Sequence, residues 1–290
     1  MKRVRAEILS TRRSGDYHAL TLVAPEIAER ARPGQFVAVR MPEERDFLLR
    51  RHLFVHQASR RGGWAGTLEL VVKPSGPGST WLASTRAHQF LDLIGPLGTP
   101  FAYPRRLTNC LLVAEGLGSA ALSFLGQELV SRNKRVDMVI GAATMDSVFK
   151  PIEAKRLSQT VSILTDDGSL GERGSIVDAL PDAIGRTGAE VLYAAAPLAT
   201  LDRIASICLE HRLPAQVVVQ EPLACGTGLC HACVVPVART DGTGYDHLRA
   251  CVEGPVFNPA RVLWDRWNRG GPRMLPTPPE GLPVVRTWPG

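Results

Sequence analysis

The sequence lacks the features that would place the chain in a membrane or outside the cell. It contains no apolar run of about 18 residues, the length that an α-helix needs to cross a bilayer. The stretch Met1–Ile8 carries charged residues where a secretory signal would need an apolar core. We therefore predict a cytoplasmic protein without a membrane span.

A concentrated basic segment and an internal repeat are also missing. The net charge is +6, but the lysines and arginines are spread along the chain rather than gathered in one arm. Nucleic-acid binding is therefore not predicted, although a basic surface can attract an acidic protein or an anionic dinucleotide. With 44% hydrophobic and 21% charged residues, the composition is that of a globular protein, and 290 residues suffice for two domains and a small module.

Cysteine is scarce, yet four of the six cysteines gather near the C-terminal end. They show the spacing C-x4-C-x2-C followed by a distant fourth residue: Cys225, Cys230, Cys233 and Cys251. This is the plant-type pattern for four thiolates that hold a [2Fe–2S] cluster. Gly226 and Gly228 permit the positive backbone φ angles that a loop needs to wrap around such a cluster.

Three other interpretations of this segment stay open. Structural zinc usually requires two short C-x2–4-C knuckles, and only Cys230 and Cys233 form one. Disulfides are disfavoured because nothing marks the chain as secreted. His231 lies inside the loop, but with four cysteines available we interpret it as a loop residue near the cluster.

The first hundred residues show short β-like runs separated by turn residues. The predicted strands are Val4–Leu9, Tyr17–Val23, Phe36–Arg40, Leu48–His56, Thr67–Lys73 and Phe90–Ile94, with one short helix at Ser79–Ala83. Several strands at such close spacing indicate a small antiparallel barrel.

Strands alternate with helices after Pro104, which indicates a parallel sheet covered on both faces. The predicted strands are Asn109–Ala114, Arg135–Ile140, Val161–Leu164, Val191–Ala194 and, as the last of the sheet, Ala215–Gln220. The predicted helices are Ser119–Arg132, Ile152–Leu157 and Leu198–His211. A glycine turn, Glu115–Gly118, joins the first strand to the first helix, as in nucleotide-binding domains.

The patterns divide the chain into four parts: a barrel (1–103), an α/β domain (104–221), a cysteine module (222–262) and a tail rich in proline and glycine (263–290). Such a tail cannot build a core of its own, so we predict that it is extended.

Six motifs follow one another in collinear order: Pro33–Val37, Leu49–Arg51, Gly95–Gly98, Thr165–Gly171, Ala224–Cys230 and Cys251–Phe257. In this order they resemble the electron-transfer subunit of dihydroorotate dehydrogenase, within the ferredoxin–NAD(P) reductase superfamily. The resemblance implies the fold class β plus α/β: an antiparallel FAD-binding barrel, a doubly wound parallel-sheet NAD-binding domain and a small C-terminal [2Fe–2S] module. It also implies electron relay between NAD(H), FAD and the cluster to a catalytic flavoprotein subunit in a hetero-oligomer, in pyrimidine biosynthesis.

The resemblance implies cofactor-binding residues but no catalytic acid or base. For FAD they are the arginine motif and a second segment in the barrel: Arg51, His52, Leu53, Phe54, Val71, Val72, Lys73, Gly78 and Ser79. For NAD(H) they are the glycine turn and the end of the third predicted α/β strand: Gly116, Gly118, Asp166, Asp167 and Ser169. NAD versus NADP stays open, although Asp146 favours NAD because a carboxylate suits a free ribose hydroxyl.

The chain departs from the family pattern at several positions close to the expected chemistry. The flavin motif Arg-Pro-x-Ser reads Arg51–Phe54, the Gly-Gly-x-Gly turn begins with Glu115, and the Cys-Gly-Pro loop reads Ala195–Pro197. A proline of the first α/β helix is Ala121 here. These changes leave a second hypothesis open: a cluster-carrying relay or docking subunit of another oxidoreductase complex with an impaired NAD site. A third is a zinc-stabilised interaction domain.

Overall fold

The computed structural model describes residues 1–42, 47–106, 108–220 and 222–269. Most of the tail predicted for 263–290 therefore lies outside the described residues. Within the described part of the chain, no helix combines the length and the apolar character that a membrane span requires.

The N-terminal third forms the predicted barrel. Its elements are β1 (Lys2–Ser14), β2 (Tyr17–Val23), α1 (Pro25–Ala28), β3 (Phe36–Val39), β4 (Arg51–Ser59), β5 (Thr67–Val72), α2 (Pro77–Ala83) and β6 (Phe90–Leu97). The strands close in the order β1-β2-β5-β4-β3-β6. Leu20 and Leu22 of β2 pair with Leu70 and Leu68 of β5, and all four are fully buried, so every second residue builds the barrel core.

The rest of the described chain forms an α/β domain and a small C-terminal module. Their elements are β7 (Asn109–Glu115), α3 (Gly118–Ser131), β8 (Arg135–Ala142), α4 (Pro151–Leu157), β9 (Val161–Thr165), β10 (Glu172–Arg173), α5 (Ile176–Thr187), β11 (Val191–Ala195), α6 (Leu198–Glu210), β12 (Ala215–Val218), β13 (Val234–Ala238), β14 (Tyr245–Arg249), β15 (Val256–Phe257) and α7 (Trp264–Arg269). The sheet order is β10-β9-β8-β7-β11-β12-β15, while β13 and β14 form a separate hairpin. The strands β8, β9 and β10 are added on one side of β7, and β11 and β12 on the other. The strand order therefore reverses between β7 and β11, which is where such folds bind ligands.

Several elements of this domain differ from the sequence-based prediction, among them the short strand β10, the last strand of the sheet and the helix α5. The expectation that Ala215–Gln220 would be its last strand is wrong, because β12 ends at Val218 and β15 pairs with it in antiparallel orientation. A strand of two residues shows no alternation in the sequence, so β15 can be recognised only from its position in the folded sheet. The helix α5 was not predicted, because Pro181 and Gly185 interrupt its pattern; the Oγ of Ser175 caps its start by accepting from the amide of Val177.

One apolar core runs through all three units. It contains buried side chains from the barrel, from the α/β domain and from the cysteine module, among them Phe36, Leu97, Leu111, Val113, Cys233, Cys251 and Trp264. Polar contacts add to it: the Tyr17 hydroxyl donates to the carbonyl of Ser147 at 2.8 Å, and the Lys150 ammonium lies 2.9 Å from a Glu69 carboxylate oxygen. The barrel and the α/β domain are therefore held in a fixed relation.

Gly118 allows α3 to start directly against β11. A Cβ at this position would overlap the backbone carbonyl of Ala195. We expect Gly118→Ala to lower the free energy of unfolding by about 1–3 kcal/mol, the usual cost of overpacking. Gly185→Ala is the control, since this glycine is exposed in α5 with open space around it. This variant should stabilise the helix by about 0.5–1 kcal/mol. Thermal unfolding followed by circular dichroism checks both, and a Gly118→Ala protein that melts at or above the native temperature would contradict the prediction.

Candidate functional site

The strand β4 carries the predicted flavin motif into a cavity of about 510 Å³. The walls of this cavity come from all three units: Arg51, Leu53, Phe54 and Val71 from the barrel, Leu117, Ala120 and Ala121 from the glycine turn and α3, and Pro222, Leu223 and Ala250 from the cysteine module. Its size and its apolar walls with few polar groups are typical of a cofactor site.

A second cavity of about 310 Å³ continues the first one. The two cavities share Arg51, His52, Leu53 and Leu117. The second is further lined by the other flavin segment predicted from the sequence, including Val72, Lys73, Gly78 and Ser79. All nine residues predicted for FAD therefore line one or both of the adjoining cavities.

Arg51 is placed to bind an anion where the two cavities meet. Its side chain packs on Gly78, where a Cβ would lie 2.5 Å from the Arg51 Nε. Its neighbour Arg50 is already paired with Asp92 at 2.7 Å, whereas Arg51 has no carboxylate partner among the residues that the structure describes. A guanidinium with unused hydrogen-bond donors next to a glycine, which leaves the backbone accessible, fits the pyrophosphate of FAD.

Two other predicted residues line the second cavity but have partners within the protein. The Lys73 ammonium lies 2.9 Å from Asp16, and hydrogen bonds from Ser147 and Lys73 hold the pKa of that carboxyl below its usual value. The Ser79 hydroxyl accepts from the amide of Gly76 at 3.0 Å and so caps its own helix. The charge of Lys73 is thus partly neutralised before any cofactor binds.

His52 lies between the cavities and the cysteine loop. Its Nε2 is buried and makes no hydrogen bond of normal geometry with the residues that the structure describes, and a Cβ added to Gly226 would overlap this atom. The ring of Phe36 meets the imidazole edge-on, with 5.7 Å between centroids. Burial lowers the pKa of His52, an effect that the Cys225 backbone partly opposes, so the imidazole is neutral at neutral pH.

The cysteine loop is shaped to place backbone donors at sulfur. Gly226 and Gly228 have φ angles of 69° and 88°, as their positions in the motif predict. The Cys225 thiol accepts from the amides of Thr227 and Cys230, both at 3.4 Å. Burial acts to raise the pKa of Cys225, but these donors outweigh it and lower the pKa to about 6. The loop therefore favours the thiolate, the form that binds iron.

The four clustered cysteines come together in the cysteine module. The Cys225 thiol accepts from the Cys230 amide, and buried Cys233 is a neighbour of Cys251, where burial first and then this neighbour raise the pKa of the Cys251 thiol to about 12. Within the described residues, no three His, Cys, Asp or Glu side chains surround one point as ligands of a single ion. Four cysteines in one module are the ligand set of a two-iron cluster, in which each iron takes two protein ligands. All six cysteines are free thiols.

Glu115 and the glycine turn lie at the point where the sheet order reverses. Gly116 has a φ angle of 54°, and the next residue, Leu117, lines both cavities. The Thr200 hydroxyl donates to a carboxylate oxygen of Glu115 at 2.6 Å, linking the end of β7 to the first turn of α6. The carboxylate is therefore held at the edge where a dinucleotide would meet the sheet.

The remaining residues predicted for NAD lie farther along the sheet. Asp166, Asp167 and Ser169 follow β9, which β8 separates from the glycine turn, and they do not line the two cavities described here. The Ser169 hydroxyl donates to Asp167 at 2.6 Å, forming a local turn. Asp146 is exposed just beyond β8. Their role in NAD binding stays a prediction.

Several cavity residues were not predicted from the sequence. They are mostly apolar, and apart from Leu117 in the glycine turn and Pro255 in the motif Cys251–Phe257 they belong to no motif: Leu117, Ala120, Val219, Gln220, Pro222, Leu223, Ala250 and Pro255. Leu117 follows β7 and Val219 follows β12. Loops after parallel strands are where ligands bind, and this is the one signal in the sequence that could have found these two residues.

Comparison with known proteins gives consistent results. The model of the iron–sulfur cluster binding domain of dihydroorotate dehydrogenase B matches residues 220–263, which contain all four clustered cysteines. The electron transfer subunit of dihydroorotate dehydrogenase B (NAD(+)) from Desulforamulus reducens is 33% identical over 242 residues, covering 83% of this chain and 90% of that protein. The corresponding subunit from Shouchella clausii is 32% identical over 250 residues, covering 86% and 93%.

Solved structures share the same architecture. The structure of an NADH-dependent reduced ferredoxin–NADP oxidoreductase aligns with a TM-score of 0.79 and 29% identity, covering 91% of each chain. A ferredoxin NADP+ reductase from Neisseria gonorrhoeae aligns with a TM-score of 0.60 over 72% of this chain and 92% of that one, at 17% identity. The latter likeness concerns the fold alone.

Proposed function

This chain belongs to the family of dihydroorotate dehydrogenase B electron-transfer subunits, and from that premise we propose that it relays electrons between NAD(H), FAD and a [2Fe–2S] cluster to a partner flavoprotein. The partner is a catalytic subunit of the dihydroorotate dehydrogenase type, in a hetero-oligomer that serves pyrimidine biosynthesis in the cytoplasm. The chain acts as an oxidoreductase subunit that oxidises NADH even without the partner when an artificial acceptor is supplied.

One observation carries this proposal: a single cavity touches the flavin motif, the glycine turn and the cysteine module. When bound, FAD exchanges two electrons with a nicotinamide and single electrons with an iron–sulfur cluster, which explains why its site must adjoin both. The convergence of three separate stretches on one cavity supports relay better than independent binding functions.

The residues of the cavity hold and orient the cofactor rather than take part in proton transfer. Arg51 binds the pyrophosphate from beside Gly78, while Leu53, Phe54 and Val71 supply apolar walls that exclude water. No side chain has to act as an acid or a base in this relay, so the chain contributes binding, position and local polarity.

The cluster is held by Cys225, Cys230, Cys233 and Cys251 on the side of the module that faces solvent. Cys233 and Cys251 are buried, whereas Cys230 is exposed and the adjacent Leu229 is 83% exposed. An apolar exposed residue beside an exposed ligand suits contact with a partner protein, so we propose that electrons leave on this side.

We propose functional boundaries at 1–103 for FAD binding, 104–221 for NAD binding and 222–262 for the cluster. The last module is not structurally separate, because β15 extends the α/β sheet and its core is continuous with the other two. The shared sheet and core hold the cysteine module against the flavin cavity.

Anaerobic purification with FAD, iron and sulfide tests the proposal. We expect flavin and cluster absorption bands together, and NADH oxidation with an artificial acceptor. A protein replete in FAD and cluster that oxidises no NADH would contradict the nicotinamide step. Zinc in place of iron and sulfide would contradict the whole relay.

A second candidate function is a cluster-carrying relay or docking subunit of another oxidoreductase complex, without productive use of NAD. Glu115 favours it, because the Thr200 hydrogen bond holds a carboxylate at the sheet edge where a pyrophosphate would approach. An anaerobically purified protein with cluster but without FAD would decide for this candidate.

Replacing Glu115 by glutamine is expected to lower the KM for NADH about fivefold, with little change in kcat. The reason is that repulsion between two charges about 4 Å apart in water is worth about 1 kcal/mol, while glutamine keeps an acceptor for Thr200. The measurement is steady-state NADH oxidation on the loaded protein. Glu210→Gln at the exposed C-terminal end of α6 removes the same charge and should leave the KM unchanged; equal KM values for all three proteins would contradict the prediction.

A further inference from the structure

His52 of the flavin motif places a polar atom against the cysteine module. Its buried Nε2 lies against Gly226, directly after the first cluster cysteine, and makes no hydrogen bond of normal geometry among the described residues, although the backbone of Cys225 is close enough to raise the pKa of the imidazole. A buried polar atom without a partner costs free energy, so such an atom usually has a partner that the protein alone does not supply.

The rest of the side chain is fixed by its surroundings. β4 holds its backbone through pairing with Ala38 of β3, and Phe36 meets the ring edge-on. The imidazole lines both cavities on one side and contacts the cysteine loop on the other. Arg51 and Leu53, its neighbours in the strand, also line both cavities.

We propose that His52 is a positioning residue that links the flavin wall to the cluster loop and supplies an N–H donor to the sulfur environment of the cluster. The inference rests on the proposed [2Fe–2S] cluster at Cys225. Hydrogen bonds to the sulfurs of such a cluster raise its reduction potential, because they stabilise the more negative reduced state. His52 therefore makes the cluster easier to reduce from the flavin side.

The test is a redox titration of the loaded protein, followed by electron paramagnetic resonance of the reduced cluster. In His52→Leu we expect the ratio of reduced to oxidised cluster at a fixed ambient potential to fall about tenfold, which is 59 mV for a one-electron couple. His52→Gln retains an N–H donor and should keep most of the native potential. His211→Leu changes an exposed histidine at the end of α6 and should have no effect.

A second readout separates this role from simple packing against Gly226. With ¹⁵N-labelled histidine, the electron spin echo of the native reduced cluster should contain a weak nitrogen coupling that His52→Leu removes. Equal reduction potentials of the cluster in native protein and His52→Leu would overturn the proposal. The proposal would also fail if the Leu and Gln variants showed the same shift in reduction potential or the same loss of cluster. Absence of a cluster from the native protein would instead contradict the proposed function, so the two failures are distinguishable.

Discussion

Replacing Cys251 by alanine is expected to remove the [2Fe–2S] cluster while FAD remains bound. The thiol is buried beside Cys233 in the cysteine module, and a cluster of this type needs all four protein ligands. Loss of an outer-shell partner alone typically lowers metal affinity 10–100-fold, so loss of a direct ligand should reduce iron and sulfide content at least about tenfold. Iron, sulfide and flavin analyses on the same sample measure the effect.

The matched control is Cys208→Ala. Cys208 is 4% exposed and Cys251 is 3% exposed, and burial raises the pKa of each thiol to about 12, with the Cys233 partner contributing at Cys251. The two cysteines differ mainly in place, since Cys208 belongs to α6 and lies outside the cysteine module. Retained flavin shows that the variant has folded. A Cys251→Ala protein with the native content of iron and sulfide would contradict the assignment, and equal loss in both variants would show that the effect is not specific.

Local sequence patterns were sufficient for much of the fold. Alternation of buried and exposed residues is a local property, so β2 was predicted to the residue and most other barrel strands within a few. The cysteine spacing is local as well, because Cys225, Cys230 and Cys233 lie on one loop. The antiparallel barrel and the parallel-sheet domain, predicted from these patterns, are confirmed.

What the sequence could not indicate depends on contacts between distant segments. The two residues of β15 form a strand because they pair with the open edge of β12, where Val218 faces Val256. The contact between His52 and Gly226 joins residues of the barrel and the cysteine module that no spacing rule relates. The apolar cavity residues Leu223 and Ala250 carry no motif, and only the assembled fold brings them to the flavin motif.

Replacing Arg51 by alanine is expected to weaken FAD binding about 100-fold. A hydrogen bond to a charged group contributes about 1.5–3 kcal/mol, and loss of about 2.8 kcal/mol corresponds to two factors of ten in Kd. The structure supports a large effect because Arg51 packs on Gly78 where the two cavities meet, and no described carboxylate occupies its donors. Titration of flavin into stripped protein, followed by fluorescence quenching, measures Kd.

Two further variants separate charge from geometry at this position. Arg61→Ala removes the same charge from an exposed loop after β4, so it should leave Kd unchanged if the effect depends on direct contact rather than on net charge. Arg51→Lys keeps the charge but lacks the planar fork that binds a pyrophosphate with paired donors, and we expect a Kd between those of the native and alanine proteins. A native-like Kd in Arg51→Ala would show that FAD does not use this guanidinium, while a native-like Kd in Arg51→Lys alone would show that Arg51 acts as a point charge.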